Sequence, residues 1–271
     1  MRRLRFIALA CFTAISGAAL KAQQPFYTDD PSVTDAGNWH FEAFNEFDSL
    51  QRPQFPNLRQ NTSSYRLNYG LPHNLEIDLD APYLSIFRAV EGSPATSNGI
   101  GDTNMGVKWN FHKHAPESWV PEMSATLYFE FPTGDSRQQL GSGLTDYWLN
   151  LIGQKQIGEK TRVNGNAGIL FAGNTSVGAL GIQTRRGRVY TGGVSMLHDF
   201  NARWTFGLEL VAGFTGNLDL SKSQLQFLAG GNYAIRKGLT FDFGVLGGKY
   251  IASPRIGGQV GFSVDFPSAS K

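Results

Sequence analysis

Residues 122–131 read EMSATLYFEF, and apolar and polar side chains alternate along this stretch. The odd positions from Met123 to Phe131 are all apolar, and the even positions from Glu122 to Glu130 are polar or, at Tyr128, amphipathic. Successive residues of a β-strand point to opposite faces of the sheet. The stretch therefore predicts a strand that has one apolar face and one polar face.

The same alternation marks out strands along most of the chain. They are predicted at 39–48, 64–70, 74–80, 102–111, 122–131, 145–155, 161–171, 187–197, 202–213, 223–234, 238–248 and 256–266. Strand 187–197 is ambiguous, because Tyr190, Val194 and Met196 compete with Val189 and Leu197 for the outer face.

The gaps between these strands alternate between long and short. Long gaps, such as 49–63, 81–101 and 172–186, follow odd-numbered strands, whereas short gaps such as 71–73 and 235–237 follow even-numbered strands. Long external loops and short periplasmic turns are typical of outer-membrane barrels. We therefore predict an all-β fold over residues 39–266, a transmembrane antiparallel up-and-down β-barrel of about twelve strands. A soluble β-sandwich is the alternative, but it does not require alternating loop lengths.

Aromatic residues support the same orientation. Six of them fall near the predicted periplasmic ends of their strands, where they would form a girdle at the membrane interface: Trp39, Tyr69, Trp109, Trp204, Tyr233 and Phe266.

The first residues have the layout of a secretory signal peptide. Arg2, Arg3 and Arg5 precede an apolar stretch at 6–20, and small residues follow it. We predict a signal peptide at 1–22, a periplasmic N-terminal segment at 23–38 that could fold into the barrel as a plug, and a C-terminal tail at 267–271. The single cysteine, Cys11, lies inside the predicted signal peptide, so the mature chain would have no disulfide.

Charge argues against a nucleic-acid partner. The chain has 24 Lys and Arg and 22 Asp and Glu. Four of the bases lie in residues 1–22, so the mature chain would have 24 − 4 = 20 bases against 22 acids. Nucleic-acid-binding domains are usually strongly basic.

The predicted lumenal face is mostly acidic. The residues expected to line the lumen and influence selectivity are Glu42, Arg66, Glu76, Asp78, Asp102, Lys108, Glu130, Arg162 and Asp242. Arg203 and Arg255 are also assigned to this face. An acidic lining favours cations over anions. The alternative is that these charges pair across strands and fill the interior.

The predicted external loops are basic instead. Arg52, Arg59, Arg185, Arg186 and Arg255 are among their cations. Arginine suits bidentate contact with phosphate, so lipopolysaccharide is a candidate partner, with Arg185 and Arg186 as candidate contacts. Ordinary solvated loop charges are the alternative.

The residues give little support for catalysis. No Gly-x-Ser-x-Gly motif is present, and only His40 of the histidines falls on a predicted strand. His112 and His114, with Glu117, have spacing that could hold a metal, although an exposed turn with two histidines is more often just a turn. We expect no enzyme activity, no metal and no cofactor.

Several short motifs resemble one family of bacterial outer-membrane proteins, labelled for the MetA pathway of phenol degradation. They are PFYTDDP at 25–31, GIGDTNMGVKW at 99–109, and FPTGD at 131–135 with the later GSG at 141–143. The resemblance implies an outer-membrane barrel that transports small or aromatic compounds. Such barrels usually finish on an aromatic residue, whereas here Phe266 is followed by five further residues.

The sequence thus predicts a porin-like channel in the outer membrane of a Gram-negative bacterium. Its expected role is passive passage of a small solute, with a hydrophobic or aromatic compound favoured by the resemblance. The competing interpretation is a structural barrel whose plugged lumen transports nothing.

Overall fold

A computed structural model describes residues 24–89, 96–114, 118–172, 178–182, 186–216 and 220–266. The predicted signal peptide and C-terminal tail, together with Glu117 and Arg185, lie outside these residues. The strands are β1 (Trp39–Ser49), β2 (Asn57–Leu71), β3 (Leu75–Arg88), β4 (Thr96–Ile100), β5 (Thr103–His112), β6 (Glu122–Phe131), β7 (Asp146–Ile157), β8 (Thr161–Ala172), β9 (Gly187–Asp199), β10 (Trp204–Thr215), β11 (Gln224–Arg236), β12 (Leu239–Gly248) and β13 (Ile256–Phe266).

The strands form one closed antiparallel sheet. Each strand pairs with its neighbours in chain order, and β1 closes the barrel by pairing with both β2 and β13. Strands β4 and β5 both lie along β3, one after the other, so together they occupy a single position in the wall. The barrel therefore has twelve strands, which confirms the predicted fold class.

The break between β4 and β5 lies opposite a proline. Pairing of β3 with β5 ends at Asp80, and pairing with β4 resumes at Tyr83, on either side of Pro82. Proline has no N–H to give to the ladder. The Pro82 carbonyl still accepts a hydrogen bond from the Gly101 N–H at 2.8 Å, which holds the interrupted strand against the wall.

Two predicted loops were too long. Much of 49–63 belongs to β2, and much of 81–101 belongs to β3 and β4. Residues 57–63 are almost all polar, whereas residues 83–87 read YLSIF and are largely apolar on both faces, so neither stretch shows the alternation by which the strands were recognised.

The alternation does place apolar side chains outside and polar side chains inside. On β5, Met105, Val107 and Trp109 are exposed on the outer wall, whereas Lys108 and Asn110 are buried inside. The ambiguous strand β9 follows the same rule, since Tyr190, Val194 and Met196 face outward while Val189 and Leu197 are buried inside. Lipid around the barrel is the solvent that suits this outer surface.

The end of the barrel where β1 begins and β13 ends has short turns and clustered aromatic rings. The rings of Trp39 and Tyr69 are 4.5 Å apart, as are those of Trp204 and Tyr233. Trp39 is also directly opposite Phe266 on β13. This end is the periplasmic end by the usual arrangement of such barrels.

The described chain contains four helices, each a single 3₁₀ turn: Arg52–Gln54, Pro72–Asn74, Ser136–Gln138 and Leu220–Lys222. None of the helices in these residues is long and apolar enough to cross a membrane.

Candidate functional site: the occupied lumen

Residues 24–38, which we call the N-terminal segment, lie inside the barrel. The backbone carbonyls of Gln24 and Pro25 accept hydrogen bonds from the side chains of Asn232 on β11 and Gln259 on β13. Further along, the Pro31 carbonyl accepts hydrogen bonds from side chains on the opposite part of the wall, Asn110 on β5 (2.9 Å) and Ser124 on β6. The segment therefore crosses the lumen from one side to the other.

Carboxylates of the wall bind the backbone and one side chain of the segment. The Tyr27 N–H donates to Glu209 Oε2 at 3.1 Å, and the Thr28 N–H donates to Glu209 Oε1 at 2.5 Å. The Tyr27 hydroxyl donates to Glu46 on β1. Further along, the Thr34 N–H donates to Glu76 on β3 at 2.5 Å. Hydrogen bonds to ionised acceptors are stronger than those between neutral groups.

An apolar patch of the inner wall holds the ring of Phe26. This ring is buried among Leu197 on β9, Leu228 on β11 and Leu246 on β12. A Cβ atom on Gly207 of β10 would lie only 2.7 Å from Phe26 Cζ. The ring can therefore lie flat on the wall only because residue 207 has no side chain.

Three more glycines leave room for the residues next to Phe26. A Cβ on Gly193 would lie 2.5 Å from Thr28 Oγ1, and a Cβ on Gly230 would lie 2.8 Å from Pro25 Cγ. Gly244 on β12 also faces Pro25, with 3.3 Å between such a Cβ and Pro25 Cβ. The inner faces of β9 to β12 thus form a shallow seat that fits residues 25–28.

Ion pairs complete the binding of the segment. Lys108 is fully buried, and its Nζ lies 2.9 Å from Asp29 Oδ1. Arg66, on β2, bridges Glu42 at 3.3 Å and Asp80 at 3.2 Å. The predicted lumenal charges Glu42, Arg66 and Lys108 are therefore brought together, and they pair rather than line an empty channel.

Other predicted lumenal residues have separate partners. Asp78 accepts a hydrogen bond from the Tyr128 hydroxyl at 2.6 Å. Asp242 accepts one from Asn232 and one from Ser263, each at 2.6 Å. Arg162, near the periplasmic turns, pairs with Asp199 at 2.8 Å.

Asp102 binds a loop. Its carboxylate accepts hydrogen bonds from the backbone N–H groups of Gly134 at 2.9 Å and Ser142 at 2.5 Å. Glu130 is half-buried on the same side of the wall, opposite Asp146 on β7. The assignment of Arg203 and Arg255 to the lumen was wrong, because both are exposed in connections at the ends of strands.

Loops close the external mouth of the barrel. Leu140 and Ala179 are buried against Leu84 and Ile86, which point inward from the external end of β3. Gln60 on β2 accepts a hydrogen bond from the Ala179 N–H at 2.7 Å. We call residues 132–145, 178–182 and 249–255 the loop cover.

The histidines form no catalytic arrangement in the described chain. His40 contacts Asp265 at 2.7 Å and Glu42 at 3.2 Å. No group of three metal-binding side chains occurs among the described residues, and the proposed ligand Glu117 lies outside them.

These features define a class: a closed twelve-stranded outer-membrane-type β-barrel whose lumen is occupied by the start of its own chain. No family model matches the chain, and no curated protein matches it. The resemblance to the phenol-degradation family therefore stays a prediction.

Solved structures with a similar fold are outer-membrane channels and porins. The COG4313 outer membrane channel from Pseudomonas putida F1 aligns with a TM-score of 0.68 and 13% identity, over 88% of this chain and 98% of that chain. The KdgM porin in complex with disordered oligogalacturonate gives 0.55 and 11%, over 84% and 99%. The NanC porin gives 0.54 and 9%, over 84% and 99%. At these identities the likeness is one of fold.

Proposed function

We propose that the protein is an outer-membrane channel that passes a small solute passively when the N-terminal segment leaves the lumen. The observation that carries this proposal is the imperfect pairing of the occupied lumen. Buried polar atoms beside the segment have no hydrogen-bond partner among the described residues: Asn110 Oδ1, next to Pro31, and Asn166 Oδ1, next to Thr28. An unpaired buried polar group costs about 1–3 kcal/mol, and water entering an opened lumen would remove that cost.

The side chain of Tyr27 supports a lumen with space beside the segment. Tyr27 is bonded to wall residues on both sides, yet 41% of its surface is accessible. A barrel that was filled solidly by its plug would leave no such surface.

The seat of residues 26 and 27 suggests the class of solute. An apolar patch of the wall holds the ring of Phe26, and the carboxylate of Glu46 accepts a hydrogen bond from the hydroxyl of Tyr27. An aromatic ring would suit the patch that Phe26 occupies, and a phenol hydroxyl would suit the acceptor that Tyr27 uses. These two contacts support an aromatic solute, and they do so independently of the sequence motifs.

Charge favours cationic over anionic solutes in the open channel. When the segment leaves, Glu46, Glu76 and Glu209 lose their donors, whereas Lys108 is the one wall base that loses a segment partner among the contacts described above. Asp29, Asp30 and Asp35 leave with the segment, but the described inner wall keeps Glu42, Glu46, Glu76, Asp78, Glu209 and Asp242 against Arg66 and Lys108, so we expect a preference for cations.

A reversible disulfide tests the proposal. A Cβ on Gly193 would lie 2.5 Å from Thr28 Oγ1, the atom that a cysteine sulfur would replace, so cysteines at 28 and 193 are within reach of a disulfide, in which the Cβ atoms are roughly 3.5–4.5 Å apart. In the variant Thr28→Cys/Gly193→Cys, oxidation should abolish conductance in planar bilayers and reduction should restore it. The two single-cysteine variants are the controls, because they carry the same substitutions without the cross-link.

The competing function is a sealed barrel that only stabilises the envelope. The hydrogen bonds at both ends of the segment and the loop cover favour it. This function would be established if the reduced pair, the wild type and a variant lacking residues 24–34 all passed no current. If a current is found instead, liposome swelling with sugars, amino acids and phenolics would identify the solute class.

A further inference from the structure

Three arginines converge in one cavity on the rim of the barrel. Arg52 lies in the 3₁₀ turn after β1, Arg59 lies near the start of β2, and Arg255 immediately precedes β13. With Ser49, Phe55 and neighbouring residues they line a cavity of about 490 Å³. We call it the arginine cavity.

The part of the chain that the structure describes places no anion opposite the three guanidinium groups. None forms an ion pair with a described residue, and the lining includes no carboxylate. Arg88, at the same end of the barrel, provides a contrast. Its guanidinium donates to Asn57 at 2.7 Å and to the Gln138 carbonyl at 3.0 Å. Three like charges around one space repel unless an anion lies between them.

The cavity also lies on the outer wall and not over the lumen. Arg59 is paired with Ser49, whose other neighbour in the sheet is Ile256. Ile256 is 62% exposed, and Phe47, two residues further down β1, is 43% exposed. The charged cavity is therefore bordered by apolar side chains that face the lipid.

A polar zone separates the arginines from the apolar belt. Asn45 and Asn61 point outward on β1 and β2, next to Phe47, and donate hydrogen bonds to each other at 3.0 and 2.8 Å. Asn45 also donates to Ser63 Oγ at 2.9 Å. Descending the wall, a ligand would meet cations, then amides beside Phe47, and then the apolar side chains of Tyr65 and Leu67.

We propose that the arginine cavity binds a phosphate group of a lipid in the outer leaflet, such as the phosphorylated glucosamine of lipopolysaccharide. Arginine binds phosphate oxygens in a bidentate way, and the amides suit the sugar and amide linkages that lie beneath such a phosphate. The acyl chains would follow the apolar wall below. This contact differs from the one predicted at Arg185 and Arg186, and it does not depend on conduction.

Binding of lipid A to the purified barrel in detergent, followed by native mass spectrometry, tests the proposal. The test variant is Arg52→Gln/Arg59→Gln/Arg255→Gln. The matched control is Arg137→Gln/Arg188→Gln/Lys249→Gln, which removes three charges from exposed positions at the same end, outside the cavity. A third variant with lysine at positions 52, 59 and 255 keeps the charge but loses the bidentate geometry.

The test variant should bind bisphosphorylated lipid A at least about tenfold more weakly than wild type, because it loses several charge-assisted hydrogen bonds. The control should bind like wild type, and the lysine variant should be intermediate. Dephosphorylated lipid A should bind wild type as weakly as bisphosphorylated lipid A binds the test variant.

Three results would overturn the proposal: equal binding by the test variant and the wild type, equal binding of dephosphorylated lipid A, or inorganic phosphate binding as tightly as lipid A. The last result would define a site for free phosphate and not for a lipid. If the glutamine variant fails to fold, the lysine variant provides the test. Binding of lipid A by the lysine variant as tightly as by wild type would exclude the bidentate contact and overturn the proposal.

Discussion

Replacing Phe26 with alanine should release the N-terminal segment from the lumen. The ring is 5% exposed and lies among three leucines. Full burial of a phenylalanine side chain contributes about 1.5–3 kcal/mol, and a cavity in a closed core raises the loss to about 3–5 kcal/mol. Because water can fill the space in an opened lumen, we expect a loss of about 2–3 kcal/mol in the free energy of docking.

That loss sets the size of the effect on conduction. Each 1.4 kcal/mol is about a factor of ten in an equilibrium constant, so Phe26→Ala should shift the equilibrium towards the released segment by about 30- to 150-fold. In single-channel recordings the open probability should rise by up to that factor, while the conductance of the open state stays unchanged. Phe200→Ala is the matched control, because Phe200 is 61% exposed in a periplasmic turn.

One pair of results would refute this reasoning. If Phe26→Ala lowers the melting temperature of the whole barrel and leaves the open probability unchanged, Phe26 is a core residue of a sealed protein. The disulfide variant removes any ambiguity, because it holds the same segment in place without altering the ring.

Three other predictions follow from the lumen contacts. Lys108→Met should raise the open probability in single-channel recordings by about tenfold or more, because Asp29 loses a charge-assisted hydrogen bond of about 1.5–3 kcal/mol. In the double variant Asp29→Asn/Lys108→Met the open probability should rise less, because no carboxylate is then left without its partner. Glu46→Gln/Glu209→Gln should weaken the cation preference, seen as a reversal potential closer to zero in a salt gradient, and a wild-type preference for anions would contradict the proposed selectivity. Asp102→Ala should free the loop at 132–145 and increase its proteolysis by added protease in intact cells, whereas unchanged cleavage would show that Asp102 does not hold it.

Much of the barrel could be predicted from the sequence because alternation is a local property. The faces of β5, β6 and β13 follow from residue type alone, since each residue either meets lipid or does not. The external parts of β2 and β3 could not be predicted in this way. In β2 both faces are polar at 60–63, whereas in β3 both faces are largely apolar at 83–87, because Leu84 and Ile86 pack inward against the loop cover; in both places the alternation is lost.

The partners of the lumenal charges were beyond sequence reasoning for a different reason. Glu209 and Asp102 bind backbone N–H groups, and every residue except proline carries such a group, so no residue type marks the partner. The inward glycines gave a weak signal. Gly193, Gly207 and Gly230 interrupt otherwise regular strands, and this could have indicated that something packs closely against the inner wall.

The point where the N-terminal segment joins the wall determines the direction in which it can leave. The Gly37 N–H donates to the Gly70 carbonyl at 2.8 Å, and the Gly70 N–H donates to the Asn38 carbonyl at 3.1 Å, close to the periplasmic turn between β2 and β3. Residues 24–36 are thus a tethered arm whose pivot lies at the inner opening. If the arm leaves the lumen as proposed, it would move into the periplasm, so a stimulus on that side of the membrane would reach it directly, while a molecule arriving from outside would first meet the loops.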